Sequence, residues 1–145
     1  GCGDVHGRRA IYRALVEGLA YSLREGLEQL ERQTNVPVQK VAVSGGASQS
    51  DRICRITADI LNKPLIRGAT TETSALGAAI LTAYGTGSYS SIEQSVKNMV
   101  HIVREFTPSP DNRVLYDELY QIYTQIYPIL KHVYKRIREV TGYPS

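Results

Sequence analysis

A chain of 145 residues with 42% hydrophobic and 21% charged residues has the make-up of a globular domain and should bury about 68–70% of the surface its unfolded form exposes. That composition excludes disorder, and no uninterrupted apolar run is long enough to cross a bilayer, so no membrane partner is expected. Seventeen basic against fourteen acidic residues give a net charge of +3; both signs are scattered, with no basic stripe interleaved with aromatics, which argues against nucleic-acid binding.

The first predicted element is a long amphipathic helix between Arg8 and Arg32, with Ile11, Leu15, Leu19, Leu23, Leu27 and Leu30 recurring at helical spacing. Arg24, Glu25, Glu28 and Glu31 occupy the opposite side. The helix should stop at Thr34-Asn35, because Val36 precedes Pro37 and is steered to extended geometry. Lys40-Val41-Ala42-Val43 then reads as a strand that breaks into Ser44-Gly45-Gly46-Ala47.

A second helix from about Ser50 to Asn62 should bury Ile53, Ile56, Ile60 and Leu61, with Ser48 or Ser50 as N-cap and Asp51 favourable in the first turn. Pro64-Leu65-Ile66-Arg67 is a brief strand, and the intervening helix implies a parallel crossover and a sheet of two strands. Thr70 or Thr71 should cap a third helix reaching Tyr84, in which Ser74-Ala75-Leu76-Gly77-Ala78-Ala79 offers so little bulk that close packing is expected. Ser91 with Gln94 predicts a capping box for a fourth helix, Ile92 to Met99. Val100 to Phe106 should be extended, followed by a last helix from about Asn112 to Val140, kinked at Pro128. Tyr116, Tyr120, Tyr123 and Tyr127 lie along that helix at the spacing of a packed face.

Two strands are too few for five helices, so the missing strands should lie upstream of Gly1, in a longer parent protein. A truncated sheet exposes an edge through which copies can pair as a homodimer. No apolar signal segment follows Arg8 and Arg9, and Cys2 and Cys54 form no CxxC pair, so a reducing cytoplasmic compartment is expected.

Chemistry can reside in the glycine turn, because a glycine pair lets a ligand approach the backbone and the following helix start favours anions. The turn is neither a P-loop nor a GxGxxG fingerprint, so pattern alone leaves a ligand loop and a purely structural turn both open. Asp51 reads first as a helix-start charge and Asp59 as a surface carboxylate. His6, His101 and His132 show no metal-ligand spacing.

Three ordered blocks carry a family resemblance: Val43-Ser44-Gly45-Gly46-Ala47-Ser48-Gln49-Ser50-Asp51, Ala58-Asp59-Ile60-Leu61-Asn62-Lys63-Pro64 and Thr73-Ser74-Ala75-Leu76-Gly77-Ala78-Ala79. Together with Asp4-Val5-His6-Gly7-Arg8 and Phe106-Thr107-Pro108-Ser109-Pro110, they resemble the C-terminal domain of the FGGY carbohydrate kinases, in its xylulokinase-like branch. The resemblance implies an α/β fold, part of an actin-like, ribonuclease H-like ATPase domain, helix-rich with a short parallel sheet. Residues 1–145 would form the latter part of the nucleotide-side domain of an enzyme that transfers the γ-phosphate of ATP to a sugar or polyol hydroxyl. It further implies nucleotide contacts at Gly45, Gly46 and Ala47, with the base-edge position falling on Ser50 or Asp51. Mg2+ would arrive with ATP, and the catalytic base and sugar site would belong to the missing N-terminal part. The alternative is a non-catalytic nucleotide-binding or interaction module on the same scaffold.

Overall fold

The structure is a computed structural model that describes Gly3 and residues 7–142; Cys2 and the Asp4-Val5-His6 part of the leading motif lie outside the described residues. Helix α1, Arg8–Thr34, is built mainly from strong helix formers and ends where Asn35 adopts the left-handed conformation (φ 55°). A Glu31 carboxylate oxygen then takes the Val38 N–H (2.7 Å) and the Lys63 ammonium (3.0 Å), fixing the path into the next strand.

Strand β1, Val41–Val43, leads through a 3₁₀ turn at Gly46–Gln49 into α2, Asp51–Leu61, and Asn62 (φ 49°) turns the chain into β2, Leu65–Gly68. The two strands pair in parallel, Val41 with Leu65 and Val43 with Arg67, as the crossover requires. The expected two-stranded sheet is corrected by β3, Ile102–Phe106, which pairs antiparallel to β2 and gives a mixed sheet of order β1-β2-β3. Only Phe106 of β3 is buried, so most of the strand carries no inward-facing pattern. Its pairing rests on non-local contacts, among them Lys40 Nζ to Glu105 at 2.9 Å.

Helix α3 spans Thr73–Gly85 and begins later than expected: its N-cap is Glu72, with no side-chain cap, while Thr70 Oγ1 accepts the Glu72 N–H ahead of it (3.0 Å). At α4, Ile92–Met99, Ser91 Oγ accepts the Gln94 N–H (3.1 Å). The Gln94 side chain reaches back one residue further than in a capping box, to the Ser90 N–H (2.8 Å). Helix α5, Pro110–Thr141, starts with proline in its first turn, runs through Pro128 as one helix and ends at Gly142 (φ 66°). Asp59 is more than a surface carboxylate: it accepts the Ser109 N–H (2.7 Å) and the Asn112 amide (2.8 Å), tying the start of α5 to α2.

Two apolar clusters meet on α2. One joins Val16, Ala20 and Tyr21 of α1 to Ile56 and Ile60 of α2 and Tyr116 and Tyr120 of α5; the other joins Cys54, Ala58 and Leu61 to Leu65 and Phe106 of the sheet. The tyrosine series therefore packs as expected at Tyr116, Tyr120 and Tyr123, whereas Tyr127 is exposed and stacks on Tyr134. The Tyr116 hydroxyl donates to Glu17 (3.1 Å) and accepts from Arg13 (3.0 Å), and that of Tyr120 donates to Glu28 (3.1 Å).

Most of the stripe expected to be the buried face of α1 is instead open: Leu15, Leu19 and Leu23 are 64%, 69% and 60% exposed, whereas Leu27 packs against the cluster of Cys54, Leu61 and Phe106. α1 meets α2 and α5 through Val16, Ala20 and Tyr21, where a small residue beside an aromatic lets the helices approach. Likewise, the close packing expected at Gly77 is not made within this chain, since a Cβ placed there would meet nothing within 4 Å.

Two measurements check this packing. The buried Tyr21 hydroxyl has no hydrogen-bond partner among the described residues, and burial, with Glu17 second, pushes its pKa up to about 12. Tyr21→Phe should therefore change unfolding free energy by less than ~1 kcal/mol or raise it, while Tyr116→Phe should lose about 1–2 kcal/mol, both read from urea titrations. The Glu31 carboxyl is held below its usual range by the Val38 N–H and, secondarily, by Lys63. Because its folded pKa is depressed, its contribution is fully present above the unfolded value of about 4.3 and fades as pH falls through the folded value. The gap in urea midpoint between the parent and Glu31→Gln should accordingly be constant at neutral pH and close in acid.

Candidate functional site

The site is the connection between β1 and α2. Where β1 ends, Gly45 takes φ 81° and ψ −176°, a conformation open essentially to glycine alone. This reversal lets the Gly45 carbonyl accept both the Ser48 N–H (3.2 Å) and the Ser48 hydroxyl (2.7 Å), closing the turn on itself. Ser48 is buried by this arrangement, while Gly46 and Ala47 stay exposed. Among the described residues, a Cβ built on Gly46 would meet no atom within 4 Å, so the backbone there faces open space.

Of the two N-cap candidates the structure selects Ser50, whose hydroxyl accepts the Ile53 N–H (3.4 Å). Asp51 lies in the first turn of α2, and both of its carboxylate oxygens are engaged: Oδ1 by Arg67 (3.0 Å) and Oδ2 by Arg104. The Arg67 guanidinium also donates to the Ser48 carbonyl (2.9 Å), which the buried Cys54 thiol approaches as a second donor (3.3 Å). Burial pushes the Cys54 thiol pKa up, against the opposing pull of Arg67, so this cysteine is a packed group and not a nucleophile.

The turn thus brings together Gly45, Gly46, Ala47, Ser50 and Asp51. Of these, Gly46 and Ala47 are exposed and Gly45 is half-buried, whereas Ser50 and Asp51 spend their side chains on the protein itself. Arg67 and Arg104 were not singled out from the sequence. Their relation to Asp51 depends on the β2–β3 register, which sets them opposite one another, and no local pattern encodes it.

Two concavities adjoin the turn. One, of about 390 Å³, lies between α1 and β1 and is lined by Leu19, Leu23, Val43 and Ala47; the other, of about 210 Å³, is lined by Ser44, Gly68, Thr73 and Leu76. Thr73 donates to the Ser44 hydroxyl across the mouth of the second (3.4 Å). Among the described residues no three His, Cys, Asp or Glu side chains are grouped as metal ligands would be, and no helix is long and apolar enough to cross a membrane.

Residues 1–86, which include the turn and all of α3, match the model of the FGGY family of carbohydrate kinases, C-terminal domain. The chain belongs to this family. Over 123 residues it is 33% identical to the xylulose kinase of Lactococcus lactis subsp. lactis (strain IL1403), covering 84% of this chain and 25% of the relative. Over 104 residues it is 38% identical to the glycerol kinase of Shewanella frigidimarina (strain NCIMB 400), covering 72% of this chain and 21% of that protein. Its fold superposes on the crystal structure of xylulose kinase from Rhodospirillum rubrum with a TM-score of 0.80 at 30% identity, over 93% of this chain and 27% of that one. The chain therefore spans about a quarter of the length of these FGGY relatives, and its helix-rich architecture is that of an actin-like ATPase domain, with the mixed sheet described above.

The two glycines of the FGGY turn should respond differently to a methyl group. Gly45→Ala forces a side chain into the φ 81° conformation and should cost about 1–3 kcal/mol of unfolding free energy. Gly46, whose φ is not positive, should accept alanine with no loss or a gain below ~1 kcal/mol, as read by thermal and urea unfolding.

Proposed function

We propose that this chain is the nucleotide-side part of an ATP-dependent carbohydrate kinase, and that Gly45, Gly46 and Ala47 form the backbone wall against which the nucleotide lies. The observation that carries this reading is the open space over Gly46: a turn held rigid by Ser48 leaves its glycine backbone uncovered, the surface a phosphate-bearing ligand needs for close approach. ATP supplies the transferable phosphoryl group, with Mg2+ arriving on the nucleotide. Phosphoryl transfer asks the protein mainly for positioning and charge neutralisation. Ser50 and Asp51 serve the nucleotide as the cap and the anchor of the turn. A xylulose-like ketose is the proposed acceptor, supported by the names of the relatives in Lactococcus lactis and Rhodospirillum rubrum.

The catalytic base and the sugar contacts belong, in this reading, to the N-terminal remainder of a longer cytoplasmic protein. The exposed leucines of α1, the free edge of β1 and the small-residue face Ala75-Gly77-Ala78-Ala79 of α3 are the surfaces that remainder would cover. Left uncovered, the same surfaces would let two copies of the isolated chain pair as a homodimer. A non-catalytic nucleotide-binding or interaction module is the second reading, favoured by the commitment of the Ser50 and Asp51 side chains to partners within this chain rather than to a base.

The test is Gly46→Val in the complete protein, since a Cβ there meets no described atom within 4 Å and the larger side chain extends into the space over the turn. ADP affinity by titration calorimetry and ATP-dependent phosphorylation of a sugar panel led by xylulose should both fall at least ~10-fold, about 1.4 kcal/mol of binding. Undiminished ADP affinity would remove the turn from the nucleotide site, and nucleotide binding by the parent without turnover on any sugar would favour the non-catalytic module.

A further inference from the structure

Arg67 on β2 and Arg104 on β3 are direct cross-strand partners, an arrangement that by itself sets two like charges side by side. Asp51 resolves it by giving one carboxylate oxygen to each guanidinium, and both cations also lie over the Phe106 ring, at 5.4 Å and 5.3 Å from its centroid. The two arginines then differ. Arg104 ends at the carboxylate, whereas Arg67 reaches on to the Ser48 carbonyl at 2.9 Å and lies 3.5 Å from that of Gln49, the last residues of the glycine turn. Arg67 is also the better sheltered, its side chain 17% exposed against 42% for Arg104.

We propose that Arg67 is a positioning residue for the nucleotide: by holding the carbonyl side of the Gly46–Gln49 turn, and by sharing with Arg104 the neutralisation of Asp51, it keeps the exposed glycine backbone rigid and free of a competing negative charge. This inference rests on the nucleotide reading of the turn. Two physical effects support it. A turn whose carbonyls are bonded from below cannot rock its peptide planes, so the exposed side stays ordered before the ligand arrives. An unneutralised carboxylate in the first turn of α2 would repel the phosphates of an approaching nucleotide, and the paired guanidinia of Arg67 and Arg104 remove that repulsion, Arg67 being the one that also holds the turn. The guanidinium suits the task because one nitrogen, Nη1, meets both the Ser48 carbonyl (2.9 Å) and Asp51 Oδ1 (3.0 Å) while the group lies over the Phe106 ring, a placement that a lysine ammonium on a flexible stem holds poorly.

The experiment compares four variants of the complete kinase. Arg67→Ala should weaken ADP affinity by calorimetry roughly 10-fold or more, with the sugar KM within about twofold of the parent and faster hydrogen exchange at the Ser48 and Ser50 amides. Arg67→Lys, which keeps the charge and guards against misfolding of the alanine variant, should recover part of the ADP affinity but not the slow exchange. Lys40→Ala, which breaks a different ion pair to β3 and touches nothing in the turn, should leave ADP affinity unchanged. Gly46→Val separates the two levels. If it abolishes ADP binding while Arg67→Ala and Arg67→Lys bind ADP like the parent, the positioning role is overturned. If Gly46→Val also binds ADP normally, the nucleotide reading itself is overturned, and with it the role of Arg67.

Discussion

Helix α2 is the constraint on which the rest of this structure depends, because its eleven residues are buried on two sides at once. Ile56 and Ile60 face α1 and α5, while Cys54, Ala58 and Leu61 face the sheet. Ala58 and Ile60 have no exposed surface at all, so neither neighbouring layer can move without opening a void in the other. A helix clamped in this way fixes its own N-terminus, and that N-terminus carries the glycine turn. The position of the candidate site is thus a consequence of core packing several residues away.

Electrostatics refines what packing fixes. Arg24 lies over the Tyr120 ring at 4.2 Å, pairs with Glu28 and Asp117, and donates to the Ile60 carbonyl, so a single guanidinium joins α1, α2 and α5. Arg67 plays the corresponding part on the sheet side, joining β2, the turn and the start of α2. In both places a partly sheltered cation meets a carboxylate and a backbone carbonyl together, the condition under which such groups hold geometry instead of costing stability. The carboxylate of Asp59 adds a third tie, fastening α5 where its first N–H groups lack helical partners.

The uncovered surfaces are as informative as the core. α1 has two apolar faces. The narrower, with Val16, Ala20 and Tyr21, is used within the chain; the stripe of leucines at four-residue spacing is left to solvent. Ridges of large side chains on a long helix are costly to expose, and with the edge of β1 and the small residues of α3 they are the surfaces left uncovered among the described residues of a chain that spans about a quarter of its relatives' length.

What the sequence determined by itself was local. The extents of α1, α2, α4 and α5, a serine cap at Ser48 or Ser50, the strand at Val41–Val43 and the glycine turn were all legible, because helices, caps and turns are set by residues within four positions of one another. The three motif blocks also pointed to the FGGY family before any geometry was available. Only the tertiary structure decided which face of α1 is core, that β3 joins the sheet, and that Asp51 is neutralised by arginines 16 and 53 residues away along the chain. Helical periodicity reports that a face is apolar without saying what covers it, and strand pairing is a contact between segments whose register no local pattern encodes. The turn could therefore be found by reading along the chain. The arginine that holds it from below could not, since its role exists only once β2 lies beside β1 beneath α2.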